Sequence, residues 1–149
     1  MVTDHEKSEE IKHKGRVLQE TVAQSLRDIF VDMTDLPDGD HITGRPMSAH
    51  GEDIIFSNLI RERVPVSIEC KFSEKGYGKI YKDYGQAAEQ AIEIANEGSL
   101  LEPIVVIKQG DEEPLVCMDL SYAIDLIYTR YIQGSPFDGL EDGVEEQTQ

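Results

Sequence analysis

Tryptophan is absent from the 149-residue chain, and cysteine occurs only twice. Two cysteines without a C-x-x-C spacing indicate neither a disulfide framework nor a zinc knuckle, so we expect buried free thiols in a reducing compartment. No apolar run approaches the roughly 20 residues that a membrane span needs. The charged first 16 residues also lack the apolar segment of a secretory signal. We therefore predict a soluble, cytoplasmic protein with no membrane association.

Basic residues are few: 14 Lys and Arg stand against 30 Asp and Glu, which gives a formal net charge of −16. This balance argues against a basic protein that coats DNA. A length near 150 residues suits one domain with a real core. We expect a folded domain at 15–133, a flexible polar segment at 1–14, and an acidic, disordered tail at 134–149 that carries a charge of −5.

Apolar residues recur at helical spacing in three stretches, which predicts three helices. The first begins at Arg16 and has about 16 residues, the second covers 84–95, and the third covers 122–133 with Ser121 as its cap. Strands are predicted at 42–47, 52–57, 64–72, 103–108 and 115–118. We expect the first two strands to pair and the last two to form a hairpin, with 103–108 buried on both faces. The element order is αβββαββα, which indicates an α/β fold.

The chemically informative residues are two carboxylates and a lysine. Glu69 and Lys71 are two residues apart on one predicted strand and so share a face, and Asp53 begins a strand that could pair with it. An acidic pair beside a cation is a magnesium site in outline, since Mg²⁺ takes one or two carboxylates and keeps several waters. E-x-K alone is more often an ordinary polar strand face. The neighbouring elements shift the balance: a preceding helix, a strand pair with Asp, and a following helix that carries glutamine.

Three segments together resemble the PD-(D/E)XK nuclease superfamily: SAHGEDIIFS at 48–57, SIECK at 67–71 and YGQAAEQA at 84–91. They are most similar to phage-encoded endonucleases and archaeal-type Holliday-junction resolvases. The resemblance covers residues 15–120, most of the folded body. It implies a restriction-endonuclease-like αβββαβ core, with a central mixed sheet flanked by helices.

The resemblance also implies roles for the motif residues. Asp53 and Glu69 would bind Mg²⁺ or Mn²⁺, the backbone carbonyl of Cys70 would add a ligand, and Lys71 would assist the attacking water. Glu52 replaces the proline that the family has before the aspartate, which leaves a choice between Glu52 and Asp53. Asp53 matches the motif position.

Two further catalytic candidates are peripheral. Family members often place a glutamate on the first helix, and Glu20 is the candidate here. It falls nearly opposite the apolar face of that helix, so a solvated glutamate is an equal alternative. Gln86 corresponds to a glutamine that positions the site in relatives. Gln90 competes with Gln86, and an ordinary polar flank of an Ala-rich helix explains Gln86 nearly as well.

Basic residues are concentrated around the proposed active strand. The window 61–82 holds six basic and three acidic residues, a charge of +3, while the remaining chain carries −19. Its glycines and tyrosines predict a flexible loop whose rings could stack on an unpaired base. The alternative is a mobile Lys-rich connection with core tyrosines. The predicted DNA-contact residues are Arg45, Ser48, Arg61, Arg63, Lys75, Tyr77, Lys79 and Lys82.

The leading hypothesis is a phage-encoded endodeoxyribonuclease, dependent on Mg²⁺ or Mn²⁺ and working in the host cytoplasm. The resemblance implies a homodimer that acts on branched DNA such as the Holliday junction, or on single-stranded DNA, in recombination. One alternative is a catalytically idle nuclease-fold module that binds nucleic acid or a replication or recombination protein. Another is an acidic DNA mimic that binds a basic protein, which the +3 window disfavours.

Overall fold

The structure, a computed structural model, describes residues 1–31, 36–46, 49–95 and 100–133. The predicted acidic tail at 134–149 lies outside these residues. The elements in chain order are α1 (Asp4–Phe30), β1 (Ile42–Gly44), β2 (Ile54–Phe56), α2 (Asn58–Arg61), α3 (Gly78–Ile94), β3 (Ile104–Ile107), β4 (Leu115–Met118) and α4 (Leu120–Tyr131). The content is therefore mixed helix and strand, as predicted. Within the described ranges, no helix combines the length and the apolar character that crossing a membrane requires.

The chain divides into two compact units. The first unit comprises Met1–Leu18 and Cys70–Leu126, and the second unit comprises Gln19–Glu69 and Ile127–Gln149. The hairpin β1–β2 lies in the second unit, and the hairpin β3–β4 with α3 lies in the first.

Helix α1 begins at Asp4 and not at Arg16, so most of the segment 1–14, predicted to be flexible, is helical. A capping box explains the early start. The Glu6 N–H donates to the Thr3 hydroxyl (3.3 Å), and the Thr3 N–H donates to the Glu6 carboxylate (2.7 Å). Ion pairs one turn apart, such as Lys12 with Glu9 at 2.8 Å, add modest support along the exposed surface.

The second unit holds the hairpin that the sequence predicts. Strands β1 and β2 pair antiparallel, with Ile42 opposite Phe56 and Gly44 opposite Ile54. This register places Ile42, Ile54 and Phe56 on one buried face. Phe30 of α1 stacks on Phe56 with ring centroids 6.4 Å apart, so the helix and the hairpin share one core. The buried apolar side chains of this unit are Val22, Ala23, Leu26, Phe30, Ile42, Ile54, Phe56, Ile60, Val64 and Ile132.

A buried histidine fixes the entry into β1. Nε2 of His41 lies 2.6 Å from the Pro37 carbonyl, and Nδ1 lies 2.9 Å from the Ser57 hydroxyl. A carbonyl can only accept, so Nε2 donates to Pro37, while Nδ1 shares a hydrogen bond with the Ser57 hydroxyl. Both ring nitrogens thus have hydrogen-bond partners, which explains how this imidazole tolerates burial.

The predicted strand at 64–72 is not a strand. The Asp53 N–H donates to the Ile68 carbonyl (3.0 Å), which ties this segment to the start of β2. Two positions near its start cannot join a ladder: Pro65 has no N–H, and the Val66 carbonyl accepts from the Arg61 guanidinium at 2.7 Å. The described residues form two separate two-stranded antiparallel sheets, and the predicted central mixed sheet is not confirmed among them.

The first unit contains the second hairpin, also as predicted. Strands β3 and β4 pair antiparallel, with Val106 opposite Val116, and α3 packs against both strands. Strand β3 was expected to be buried on both faces, but Ile104 and Val106 are exposed. The reason is that α3 covers one face of a two-stranded sheet. Neither cysteine forms a disulfide bond within the part of the chain that the structure describes, and both are only half-buried.

Helix α4 begins at Leu120, two residues before the predicted start. Its cap is Asp119 and not Ser121: the Asp119 Oδ1 atom accepts from the N–H groups of Ser121 (2.9 Å) and Tyr122 (3.4 Å). Aspartate and serine are comparable caps, so the sequence alone could not decide between them.

The core of the second unit predicts a contrast between two positions on α1. Leu26 is fully buried, so Leu26→Ala should lower the free energy of unfolding by about 2–5 kcal/mol. Ile11 is exposed on the same helix, and Ile11→Ala should change it by less than about 0.5 kcal/mol. Urea denaturation followed by circular dichroism measures both. Equal losses in the two variants would contradict this description of the core.

Candidate functional site

Asp53 directly precedes β2, and its main chain is fixed from three directions within the second unit. Its N–H donates to the Ile68 carbonyl at 3.0 Å, and its carbonyl accepts from the Arg45 N–H at 2.8 Å. The same carbonyl accepts from the side-chain amide of Gln19 at 2.9 Å. The half-buried carboxylate of Asp53 therefore projects from a backbone held by two other segments and by α1.

The hydrogen bond to Ile68 makes Glu69 the residue next to Asp53's backbone partner. The structure thus brings together the two segments that carry the predicted metal ligands, Asp53 and Glu69, although the second segment is not a strand. The Glu69 side chain is exposed. Cys70, half-buried, and Lys71, exposed, follow directly in the sequence and begin the second stretch of the first unit.

Glu52, the alternative to Asp53, forms an ion pair with Arg61. Arg61 also donates to the Val66 carbonyl at 2.7 Å, and its guanidinium lies 4.9 Å from the centre of the Phe56 ring. The charge of Glu52 is therefore balanced inside the second unit.

Among the described residues, no group of three or more His, Cys, Asp and Glu side chains could hold a metal ion. The side chains to test as metal ligands are therefore the two carboxylates of the motif. Mg²⁺ is usually bound by one or two carboxylates, with water and substrate phosphate completing the shell. Asp53 and Glu69 match that requirement.

The two peripheral candidates are exposed. Glu20 is exposed and ion-paired with Arg27 within the second unit. Gln86 and its competitor Gln90 are both exposed on α3, in the first unit. For these residues the ordinary interpretation, a solvated polar face, describes their surroundings.

Gln19 is the residue that sequence reasoning missed. Its side-chain amide donates to the carbonyls of both Arg45 and Asp53, each at 2.9 Å. A signal was present, because Gln19 continues the i, i+3, i+4, i+7 spacing of Val22, Ala23 and Leu26 and is thus a polar residue on an apolar stripe. A polar side chain in that place needs partners, and the hairpin carbonyls supply them.

The predicted DNA-contact residues separate into two groups. The arginines are part of the folded structure. Arg45 donates to the Glu52 carbonyl, Arg61 donates to the Val66 carbonyl, and Arg63 is half-buried. Arg45 also lies so close to Gly51, whose φ is +123°, that any side chain at 51 would collide with it. The first-unit residues Lys75, Tyr77, Lys79 and Lys82 are exposed. Ser48 lies outside the described residues.

The loop that was expected to be flexible is a short turn. The Lys75 N–H donates to the Ser73 hydroxyl at 3.3 Å, and that hydroxyl donates to the Lys75 carbonyl. Helix α3 then begins at Gly78, so the turn and the first helical turns present the lysines.

Comparisons of the chain with protein-family models, with curated proteins and with solved structures found no match.

The two groups of basic residues should respond differently to substitution. Arg61→Ala removes an ion pair and hydrogen bonds to main-chain carbonyls, so it should lower the free energy of unfolding by about 1.5–3 kcal/mol. Lys75→Ala, on an exposed turn, should change it by less than about 0.5 kcal/mol. Urea titration of both variants checks this, and a large loss with Lys75→Ala would contradict the division.

Proposed function

We propose that this chain is a metal-dependent endodeoxyribonuclease of the PD-(D/E)XK type, which hydrolyses phosphodiester bonds in branched DNA such as the Holliday junction. The observation that carries the proposal is the 3.0 Å hydrogen bond from the Asp53 N–H to the Ile68 carbonyl. It joins the hairpin that carries one motif carboxylate to the segment that carries the other, followed in sequence by the motif lysine.

A restriction-endonuclease-like core is part of this proposal. In such a core, a helix, three strands, a helix and a strand follow one another as αβββαβ. The described elements give α1, β1, β2, α3 and β3 in this order, with the short helix α2 and the segment 64–72 between β2 and α3. In this proposal the segment 64–72, bonded to Asp53 through Ile68, takes the place of the third strand. This order supports the assignment of Asp53 and Glu69 to successive segments of the motif.

Each residue of the motif has a distinct chemical task in this proposal. Asp53, Glu69 and the Cys70 carbonyl would hold Mg²⁺ or Mn²⁺, which when bound neutralises phosphate charge and lowers the pKa of a bound water. The Lys71 ammonium donates hydrogen bonds that orient the attacking water or stabilise the charge developing on phosphate oxygen. Gln19 keeps the Asp53 backbone in place, and so it is a positioning residue.

The net charge of −16 requires that DNA contact be local. Lys75, Lys79 and Lys82 supply exposed positive charge at the start of α3. Phosphate contacts through such side chains position the nucleic acid without reading its sequence, as a structure-selective enzyme requires. We also propose a homodimer, since a resolvase cuts two strands symmetrically.

Substitution of the motif residues tests the activity directly. With Mg²⁺, the purified protein should cleave a four-way junction more readily than a linear duplex, and Asp53→Asn or Lys71→Ala should reduce the rate at least about 100-fold. Asp53→Asn leaves the backbone hydrogen bonds of residue 53 in place, so the variant should stay folded, which circular dichroism checks. Cleavage is followed on labelled junction, flap, duplex and single-stranded substrates.

The matched control is Glu62→Gln, which removes an exposed carboxylate at the C-cap of α2 and should keep full activity. Cleavage that survives both Asp53→Asn and Lys71→Ala, in protein purified identically, would overturn the site.

Salt dependence tests the lysine contacts. If the three lysines each contact one phosphate, the triple variant Lys75→Ala, Lys79→Ala, Lys82→Ala should reduce the slope of log K against log salt by about 2 for single-stranded DNA. Fluorescence anisotropy in the absence of divalent metal measures the slope. An unchanged slope would show that DNA binds elsewhere.

A further inference from the structure

A cavity of about 450 Å³ lies in the first unit, between the start of α3 and the junction of β4 with α4. Its volume is within the range of small-ligand sites. Three tyrosines, Tyr77, Tyr81 and Tyr84, line one side of this tyrosine cavity, and Met118, Asp119 and Leu120 line the other. The proposed nuclease chemistry uses none of these six residues.

The three rings share one side of the helix, because their spacing is i, i+4 and i+7. Tyr81 is 75% exposed and Tyr77 is 42% exposed. Among the residues that the structure describes, neither ring stacks on another aromatic ring. Large aromatic side chains gain most when their faces are covered, so these rings form a preformed stacking surface.

Asp119 places a hydrogen-bond acceptor at the same cavity. Its Oδ1 atom accepts from the N–H groups of Ser121 and Tyr122, whereas Oδ2 has no hydrogen-bond partner among the described residues. The hydrogen bond from the Ser121 hydroxyl is the main cause that lowers the pKa of Asp119, so the carboxylate stays ionised near neutral pH. Desolvation is the main cause that raises the pKa of Tyr84, which therefore keeps its proton.

The rings and the carboxylate together suit a flat ring that carries a hydrogen-bond donor at its edge. A nucleobase with an exocyclic amino group has this composition, and unpaired bases are bound by stacking on aromatic side chains. Lys82 and Lys79, which pairs with Asp83 at 2.9 Å, are exposed on other sides of α3 and do not line the cavity. They can contact phosphates of the strand beyond the bound base.

We propose that the tyrosine cavity binds one unpaired nucleobase of the DNA substrate and favours a base that carries an exocyclic amino group. The inference depends on the proposed function for its substrate, and it adds a site for an unpaired base at a branch or bulge. Stacking on Tyr77 and Tyr81 supplies the affinity. The Asp119 carboxylate accepts from the amino group, as acidic side chains do from cytosine in base readout.

Binding without catalysis provides the test. Three duplexes are compared by fluorescence anisotropy in EDTA: one with a single bulged cytosine, one with an abasic site at the bulge, and one fully paired. We expect the cytosine bulge to bind about tenfold more tightly than the abasic bulge, in keeping with the contribution of one stacked base. Tyr81→Ala should abolish this difference and leave binding to the paired duplex unchanged.

Ile92→Ala is the matched control, because Ile92 is 76% exposed on the same helix and does not line the cavity. It should keep the tenfold preference. Neither side chain contributes much to the core, so loss of folding does not complicate the comparison. Equal affinity for cytosine and abasic bulges in the unmodified protein, or an unchanged preference in Tyr81→Ala, would overturn the proposal.

Asp119→Asn tests the acceptor without removing the helix cap, since asparagine caps as well as aspartate does. The unmodified protein should prefer a bulged cytosine to a bulged thymine, and the variant should lose most of this preference. Equal binding of the two bases by the unmodified protein would overturn the role of Asp119.

The two proposals can fail separately. If the protein discriminates cytosine from abasic bulges but does not cleave with Mg²⁺, the base-binding proposal stands and the nuclease proposal fails. If it cleaves junctions through Asp53 and Lys71 but ignores the bulged base, the nuclease proposal stands and the base-binding proposal fails.

Discussion

The amide of Gln19 is the interaction around which the second unit is organised. It donates to the carbonyls of Arg45 and Asp53, one on each side of the β1–β2 hairpin. Helix α1 is thereby joined to the hairpin in two ways: by hydrogen bonds to main-chain carbonyls beside the hairpin strands, and by the contact of Phe30 with Phe56. An apolar residue at 19 would remove this donor from both carbonyls. The Asp53 carbonyl would keep the N–H of Arg45, whereas the Arg45 carbonyl would lose the Gln19 donor, and a part-buried acceptor without a partner is costly. The placement of the Asp53 carboxylate follows from the same constraint.

The two units differ in how much of their apolar surface they bury. Of the buried apolar side chains among the described residues, Ile124 belongs to the first unit and the others to the second. Helix α3 has no buried residue, although its alanines and tyrosines lie on one side. A two-stranded sheet is too narrow to bury the whole apolar side of the helix that packs on it. Part of the tyrosine side of α3 therefore stays accessible and lines the tyrosine cavity. The second unit therefore holds most of the buried apolar side chains among the described residues, and the first presents more accessible apolar surface.

Local patterns predicted the elements well where one residue type decides the structure. Both hairpins and the mixed content follow from periodicity and turn residues. The helix predicted over 84–95 is present, but α3 begins at Gly78, and α1 begins at Asp4 where the prediction starts it at Arg16. The early start of α1 follows from the capping box of Thr3 and Glu6, which lies outside the apolar periodicity on which the prediction rests. The predicted third strand is absent for a reason that its own residues do not show. Its apolar residues suit a strand, but the guanidinium of Arg61, which precedes the predicted strand, donates to the Val66 carbonyl.

The candidate site was predictable in part. The motif spacing gave Asp53 and Glu69 as a pair, and the hydrogen bond between Asp53 and Ile68 joins their segments. The partition of the basic residues was not predictable, because arginine and lysine look alike in a charge count. Arginine bonds carbonyls and carboxylates with several planar donors, which explains why Arg45 and Arg61 serve the fold while the lysines remain on the surface.

The absence of tryptophan gives the tyrosine cavity a spectroscopic consequence. The near-ultraviolet emission of this chain comes from its six tyrosines, and three of them, Tyr77, Tyr81 and Tyr84, line that one cavity. In most proteins tryptophan emission would hide such a signal. Here about half of the intrinsic fluorophores surround a single site, so its occupancy is readable in the unlabelled, unsubstituted protein.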